Sequence, residues 1–237
     1  MNTKHIEILY EDAHILVCIK PHGVPTQSRR AGTPDMESLV KNHIYQSAPE
    51  KGEPYLAVIH RLDQPVKGIL VFAKTPFAAK ELNRQLQSHG FAKYYRALTD
   101  GHPSQKEGTL EDYLIKDGRA NTSRVCASGT AGAKLARLHY AVVEQGPFLF
   151  DQAPNDDAPR TELDIRLDTG RHHQIRVQFA HAGYPLMGDT KYGREAVAGR
   201  YCPVALCSCR IAFIHPVTGK EMEFTIRPKG NVFTQMA

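Results

Sequence analysis

Apolar residues fall in short runs and alternations along most of this chain, and their spacing predicts strands more often than helices. Residues 6–10 and 14–20 read as two strands around Glu11-Asp12, a hairpin that opens the fold. After Asp35, the residues Met36, Leu39, Val40, His43 and Ile44 recur at helical spacing, which makes Asp35 a capping residue. Residues 56–59 and 68–74 are apolar strand runs that flank a polar turn over 60–67. Thr75-Pro76 has the form of a cap followed by a first helical position. A helix is predicted from there to Ser88, with Phe77, Leu82 and Leu86 facing inward and Gly90 ending it.

Further strands are predicted at 93–99, 109–115, 135–143 and 161–167. Residues 117–132 read as a basic loop rich in small polar residues, and 152–159 as an exposed insertion. A short helix is expected over 172–181, stopped by Gly183-Tyr184-Pro185. Strands at 211–214 and 221–226 surround the turn His215-Pro216-Val217-Thr218-Gly219. Runs of adjacent strands with few helices argue for an α+β fold, a mixed, largely antiparallel sheet with flanking helices and loops. No repeat, low-complexity tract or long linker interrupts residues 1–237, which are expected to form a single domain.

Composition narrows the classes. With 237 residues, 41% hydrophobic and 23% charged, the chain is large enough for a sizeable core and too apolar for general disorder. Its apolar runs are far shorter than the ~20 residues a spanning helix needs, and its first residues lack the apolar core of a signal peptide. A cytoplasmic protein that is neither exported nor embedded is expected. The odd cysteine count of 5 fits free thiols in a reducing compartment. Cys202, Cys207 and Cys209 lie close together, but no second Cys/His pair at finger spacing accompanies them, so they read as small apolar fillers and not as metal ligands. His172, His173 and His181 lack a carboxylate at matching spacing, which favours surface or capping roles.

Charge is unevenly placed. The net charge is +5, yet residues 58–96 alone carry +5 and residues 116–140 carry +4, leaving −4 for the remainder. Such asymmetry suits a polyanion held through phosphate contacts; a solvated surface with scattered cations is the plainer alternative. Phosphate-binding loops, dinucleotide fingerprints, zinc-protease and calcium-loop patterns do not occur in the sequence.

The feature that stands out is His60-Arg61-Leu62-Asp63, set between two apolar strand runs. A turn-forming carboxylate there is compatible with an Asx turn. It is equally where a rigid scaffold mounts a working side chain. His60-Arg61-Leu62-Asp63 followed by Gly68-Ile69-Leu70-Val71-Phe72-Ala73-Lys74 resembles the signature of the RluA family of pseudouridine synthases. Further stretches agree in the same order: Lys20-Pro21-His22-Gly23-Val24, Lys93-Tyr94-Tyr95-Arg96-Ala97, and residues 169–176 with His172-His173-Gln174-Ile175-Arg176. Gly188-Asp189-Thr190-Lys191-Tyr192-Gly193 and residues 215–219 complete the match. The resemblance runs from about residue 6 to residue 228. Two departures flank the presumed site: Val66-Lys67 replaces the family's usual Thr-Ser, and Gln178 stands where a histidine is common. The S4-type RNA-binding domain of many relatives is not found in this sequence.

The resemblance implies an enzyme that detaches uracil from ribose at N1, turns it over and rejoins it through C5, with no cofactor and no metal. It makes Asp63 the carboxylate at the sugar–base junction, acting as nucleophile or base and kept ionised by Arg176. Tyr95 becomes the active-site tyrosine, stacking on uracil and serving proton removal from C5. Ile175 becomes a wall of the uracil slot. Arg61, with His60 beside it, is expected to fill the space of a flipped-out base. Arg119, Arg124 and Lys134 are expected to bind RNA phosphates. The partner would be ribosomal or transfer RNA, met by a monomer away from any membrane. An RNA-binding assembly factor that has lost catalysis, and a nucleoside-cleaving hydrolase, are the rival readings.

Overall fold

The computed structural model describes residues 6–28, 32–146, 160–193 and 204–228. The proposed insertion at 152–159 and Cys202 lie outside the described residues. The elements in chain order are β1 (Glu7–Glu11), β2 (Ile15–Lys20), α1 (Met36–Ser47), β3 (Ala57–Val58), β4 (Lys67–Ala73), α2 (Pro76–Gln87) and β5 (Ala92–Asp100). They continue with β6 (Glu107–Asp117), β7 (Thr122–Cys126), β8 (Lys134–Gly146), β9 (Arg160–Leu167), α3 (Gln174–His181), β10 (Leu206–Ile214) and β11 (Glu221–Thr225). The α+β class follows directly from this order. The chain divides into two compact units, Met1–Lys93 with Ser208–Ile226, and Tyr94–Cys207 with Arg227–Ala237.

In the first unit, β1 pairs antiparallel with β2, β2 with β4, β3 with β4, and β10 with β11; β10 lies beside β4. Every residue of β2 is buried. Alternation sends Ile15 and Val17, with Ile69, Val71 and Ala73 of β4, to one face. There they pack with Ala78, Ala79 and Leu82 of α2 and with Phe91 and Phe213. Gly68 is required: its φ is +148°, and a Cβ there would lie 2.5–2.6 Å from atoms of Ser208.

The helix starts follow the sequence reading. Asp35 accepts from Ser38 N and caps α1, and Thr75 accepts from Ala78 N and caps α2. α2 ends at Gln87 with Ser88 as its C-cap, close to the expected stop. His89, not Gly90, takes the left-handed conformation (φ 60°), while Gly90 N donates to Gln85 O at 2.9 Å and closes the end. Phe77, expected to face inward, is 57% exposed, because the buried stripe of α2 runs through Ala78, Ala79, Leu82 and Gln85.

The second unit contains the strand order β5-β9-β8-β6-β7, with β6/β7, β6/β8 and β8/β9 antiparallel. The loop expected over 117–132 contains a strand. Thr122–Cys126 folds back on β6, with Ile115 opposite Arg124 and Leu114 opposite Val125, so the basic segment is largely a hairpin. Val177 of α3 packs on Leu114 and Ala136, with Val125 and Tyr192 at the margin. Cys18, Cys207 and Cys209 are buried, and burial pushes the Cys18 thiol up to about 12. No helix among the described residues is long and apolar enough to cross a membrane.

Candidate active site

Asp63, Arg61 and His60 belong to the first unit; Tyr95, Ile175, Arg176, Arg119, Arg124 and Lys134 belong to the second. Asp63 opens the turn between β3 and β4, closed by Val66 N donating to Asp63 O at 3.0 Å. Asp63 is partly buried, Arg61 exposed, and Leu62 and Val66 buried, so the turn anchors through its apolar members and presents its charged ones. His60 is tied into the sheet: its Nε2 accepts from Val71 N at 3.3 Å and its ring lies 5.4 Å from that of Phe91. Burial, with Lys93 adding to it, pushes His60 down to about 3, which keeps the ring neutral.

The segment after β2 straps this turn in place. Thr26 Oγ1 donates to Leu62 O at 3.0 Å and accepts from Leu62 N at 3.1 Å. Gly23 N donates to Gln64 O at 3.0 Å, while Gln64 Nε2 donates to Gly23 O at 2.9 Å. His22 Nδ1 bonds Pro65 O at 2.7 Å. Lys20 is fully buried, and its ammonium donates to Pro21 O at 2.9 Å and Gln64 O at 3.0 Å. The departures noted in the sequence are equally placed: Val66 is buried in the turn and Lys67 begins β4.

In the second unit, Arg176 sits in the first turn of α3 and is 3% exposed. Its Nε and its second terminal nitrogen donate to Asp189 Oδ2 and Oδ1, each at 2.7 Å, a two-pronged pair of the strongest kind. Asp189 Oδ1 also accepts from Lys191 N and Tyr192 N, at 2.9 and 3.2 Å. Gly193 is needed because Asp189 O lies 2.4 Å from where a Cβ would stand. The guanidinium lies 5.3 Å from the centre of the Tyr192 ring. Asp189 and Tyr192 carry no role in the sequence reading, although both sit in the stretch 188–193 that helped to mark the family.

His172 and His173 tie the start of α3 to its surroundings, and His173 is the capping residue of that helix. His173 adopts a left-handed conformation (φ 54°) at the start of α3, and its Nδ1 bonds Tyr192 Oη at 2.7 Å. His172 bonds Ser123 Oγ at 2.9 Å and Asn121 Oδ1 at 3.2 Å. Lys191 Nζ donates to Asn121 O at 2.7 Å, and Ser123 N donates to Tyr192 Oη at 2.8 Å. The tip of the β6–β7 hairpin is thereby docked on the segment that holds Arg176. Burial pushes His173 down to about 2, and Arg176, His172, Lys191 and Lys116 all push the same way, so this face is strongly cationic.

Register separates the expected RNA-binding residues. Lys134 lies opposite Leu114 and Lys116 opposite Ser123, whereas Arg124 lies opposite Ile115. Strand alternation therefore puts Lys116 and Lys134 on the face that Leu114 turns to α3, and Arg124 on the other. Arg119 is exposed at the hairpin tip. Tyr95 of β5 is 6% exposed and Ile175 is 4% exposed. Gln178 is buried, and its Nε2 donates to Asp112 Oδ2 at 2.8 Å and Ala136 O at 3.3 Å, so this departure is absorbed by the sheet beneath α3.

Comparison with known proteins identifies the family of the chain. Residues 14–181 match the family model described as RNA pseudouridylate synthase. The chain is 32% identical over 230 residues to "Ribosomal large subunit pseudouridine synthase D" of Zymomonas mobilis, covering 92% of this chain and 68% of that protein. The same-named protein of Vibrio parahaemolyticus is 34% identical, with 92% and 66% covered. An RNA pseudouridine synthase of Bacillus subtilis, described as uncharacterized, is 32% identical, with 90% and 65% covered. The chain thus spans about two thirds of the length of these curated relatives. Among solved structures, human RNA pseudouridylate synthase domain containing 4 has the same fold, with a TM-score of 0.76 at 19% identity over 95% of this chain and 90% of that one. Human RNA pseudouridylate synthase domain containing 1 follows at 0.72, with 23% identity and coverage of 97% and 85%. With the family match spanning most of its length and the family's stretches set in ordered turns and helix starts, the chain belongs to the RNA pseudouridylate synthase family and is an RNA-modifying isomerase.

Proposed function

We propose that this pseudouridine synthase acts on a uridine of ribosomal RNA, as a cytoplasmic monomer in which the two units serve as one catalytic domain. The observation that carries the substrate class is the identity of 32–34% over 92% of the chain to relatives named for the large ribosomal subunit. Asp63 supplies the carboxylate that attacks or deprotonates at the sugar–base junction. Tyr95 offers a ring for the uracil and a phenol for the proton at C5, with Ile175 walling the base. Arg176, which Asp189 holds in a fixed orientation, supports the ionised form of Asp63. Arg61, exposed at the turn with His60 rigid beneath it, fills the space left by the flipped base. Lys116 and Lys134 on the α3 face, with Arg119 and Arg124, meet phosphates, which makes affinity fall with salt.

The test is a pseudouridine map of ribosomal and transfer RNA from cells with and without the protein, repeated with Asp63→Asn. One ribosomal position should lose its modification in both the deletion and the Asp63→Asn strain, and the purified variant should bind RNA yet fall by about 10³-fold or more in rate. Loss confined to transfer RNA would overturn the substrate class, and a rate for Asp63→Asn near that of wild type would overturn the role of the carboxylate.

A further inference from the structure

Asp189 holds Arg176, while Tyr192 in the same stretch takes no direct part in the chemistry. Yet separate segments of the second unit meet at this side chain. Its Oη accepts from Ser123 N at 2.8 Å and bonds His173 Nδ1 at 2.7 Å. A phenol has one hydrogen and spare lone pairs, so it can sustain both bonds at once. β7 is the outermost strand of its sheet among the described residues, and Tyr192 Oη takes up the Ser123 N–H that β7 turns away from β6. The Tyr192 ring stands edge-on to that of His173, 5.6 Å between centres, and lies 5.3 Å from the Arg176 guanidinium. Its backbone N donates to Asp189 Oδ1 at 3.2 Å, the same oxygen that accepts from Arg176 at 2.7 Å.

We propose that Tyr192 is a positioning residue that couples the β6–β7 hairpin to Arg176, so that the seating of the hairpin against RNA sets the placement of the guanidinium. This rests on the reading of Arg176 as the support of the reacting carboxylate. On the hairpin side the ties converge on the same two segments. His172 bonds Ser123 Oγ and Asn121 Oδ1, and Lys191 Nζ donates to Asn121 O. The tip so docked carries the exposed Arg119. On the other side Arg176 and Asp189 form an enclosed pair, with side chains 3% and 0% exposed. A close-packed interior passes a displacement on, because it has no slack in which to lose it.

The two ends of the coupling sit on different parts of one side chain. The oxygen holds the hairpin and the start of α3, and the ring faces the guanidinium. Tyr192→Phe separates them, because it removes the oxygen and leaves the ring. The hairpin can be loosened just as selectively at Asn121, which has a left-handed backbone (φ 49°). Asn121→Gly keeps that conformation and removes only the carboxamide that His172 bonds. It changes no charge, so the phosphate contacts of the hairpin are left as they are.

The experiment is a double-mutant cycle between Asn121→Gly and Tyr192→Phe in the intact protein. Its readouts are kcat and KM on unmodified RNA taken from cells lacking the protein, and the NMR signal of the Arg176 Nε–H without RNA. Tyr192→Phe should lose about tenfold in kcat. Asn121→Gly should lose about threefold in kcat and shift the Arg176 signal, and in the Tyr192→Phe background it should do neither, because the connection is already cut. Equal kcat losses in both backgrounds, or an Arg176 signal that Asn121→Gly does not move, overturn the inference, since hairpin and guanidinium are then independent parts of the scaffold. If Tyr192→Phe does not fold, the response of the Arg176 signal to Asn121→Gly decides alone. The two readings fail separately: full activity in Arg176→Met removes the role of Arg176, whereas an inactive Arg176→Met with additive losses in the cycle removes only that of Tyr192.

Discussion

The turn that carries Asp63 and the helix start that carries Arg176 hold their charged groups by opposite means. The Asp63 turn is held through its backbone: Leu62, Gln64 and Pro65 are tied to Thr26, Gly23, Lys20 and His22, mostly through main-chain atoms. Replacing the Asp63 side chain leaves those ties untouched. Arg176 is held through its side chain, by a buried carboxylate that is itself fixed by two backbone N–H groups. Geometry and charge are therefore separable in the first case and inseparable in the second. The guanidinium of Arg176 spends two of its five donors on Asp189, whereas the ties of the Asp63 turn named above run through Leu62, Gln64 and Pro65.

The largest expected break in this contrast is Asp189→Ala. Removing one partner of a buried ion pair leaves the other uncompensated and costs about 3–5 kcal/mol. Guanidinium unfolding should show that loss, and Asp63→Asn, an isosteric change at a partly buried turn residue, should cost less. Equal stabilities for the two variants would erase the distinction. Thr26→Val sharpens the first half of it. Thr26 is 3% exposed and bonds both polar groups of Leu62. Losing the hydroxyl should cost about 1–3 kcal/mol. A catalytic rate reduced beyond what the unfolded fraction accounts for would show that the strap sets the position of Asp63.

The smallest effect at neutral pH belongs to His173. Its folded form is pushed down to about 2 from the usual 6.5, so the unfolded chain binds more protons between those values. Stability is complete above 6.5 and falls as pH drops below it, until about 2. His173→Asn, which tolerates a left-handed backbone, should match wild type at pH 7 and lose less on acidification; urea midpoints at pH 7 and 4.5 measure this. A parallel decline in both proteins would show that His60, pushed down to about 3 in the first unit, carries the acid sensitivity instead.

Local chemistry made much of this protein legible. Alternation and capping residues placed α1, α2 and most strands, because Asp35, Thr75 and the apolar runs act within a few residues of themselves. The family's stretches brought Asp63, Tyr95 and Arg176 forward as candidates. Other features needed the fold. β7 was hidden in a Gly- and Ser-rich basic segment because its strand character comes from pairing with β6, which its own composition does not announce. Phe77 turned outward because the face of α2 that packs on β4 runs through Ala78, Ala79 and Leu82. Asp189 became the partner of Arg176 across 13 residues of sequence, and Lys20 reached the turn of Asp63 across 44. A charge in a sequence carries no sign of whether water or protein surrounds it. That depends on which segments close over it, and only the tertiary structure decides that.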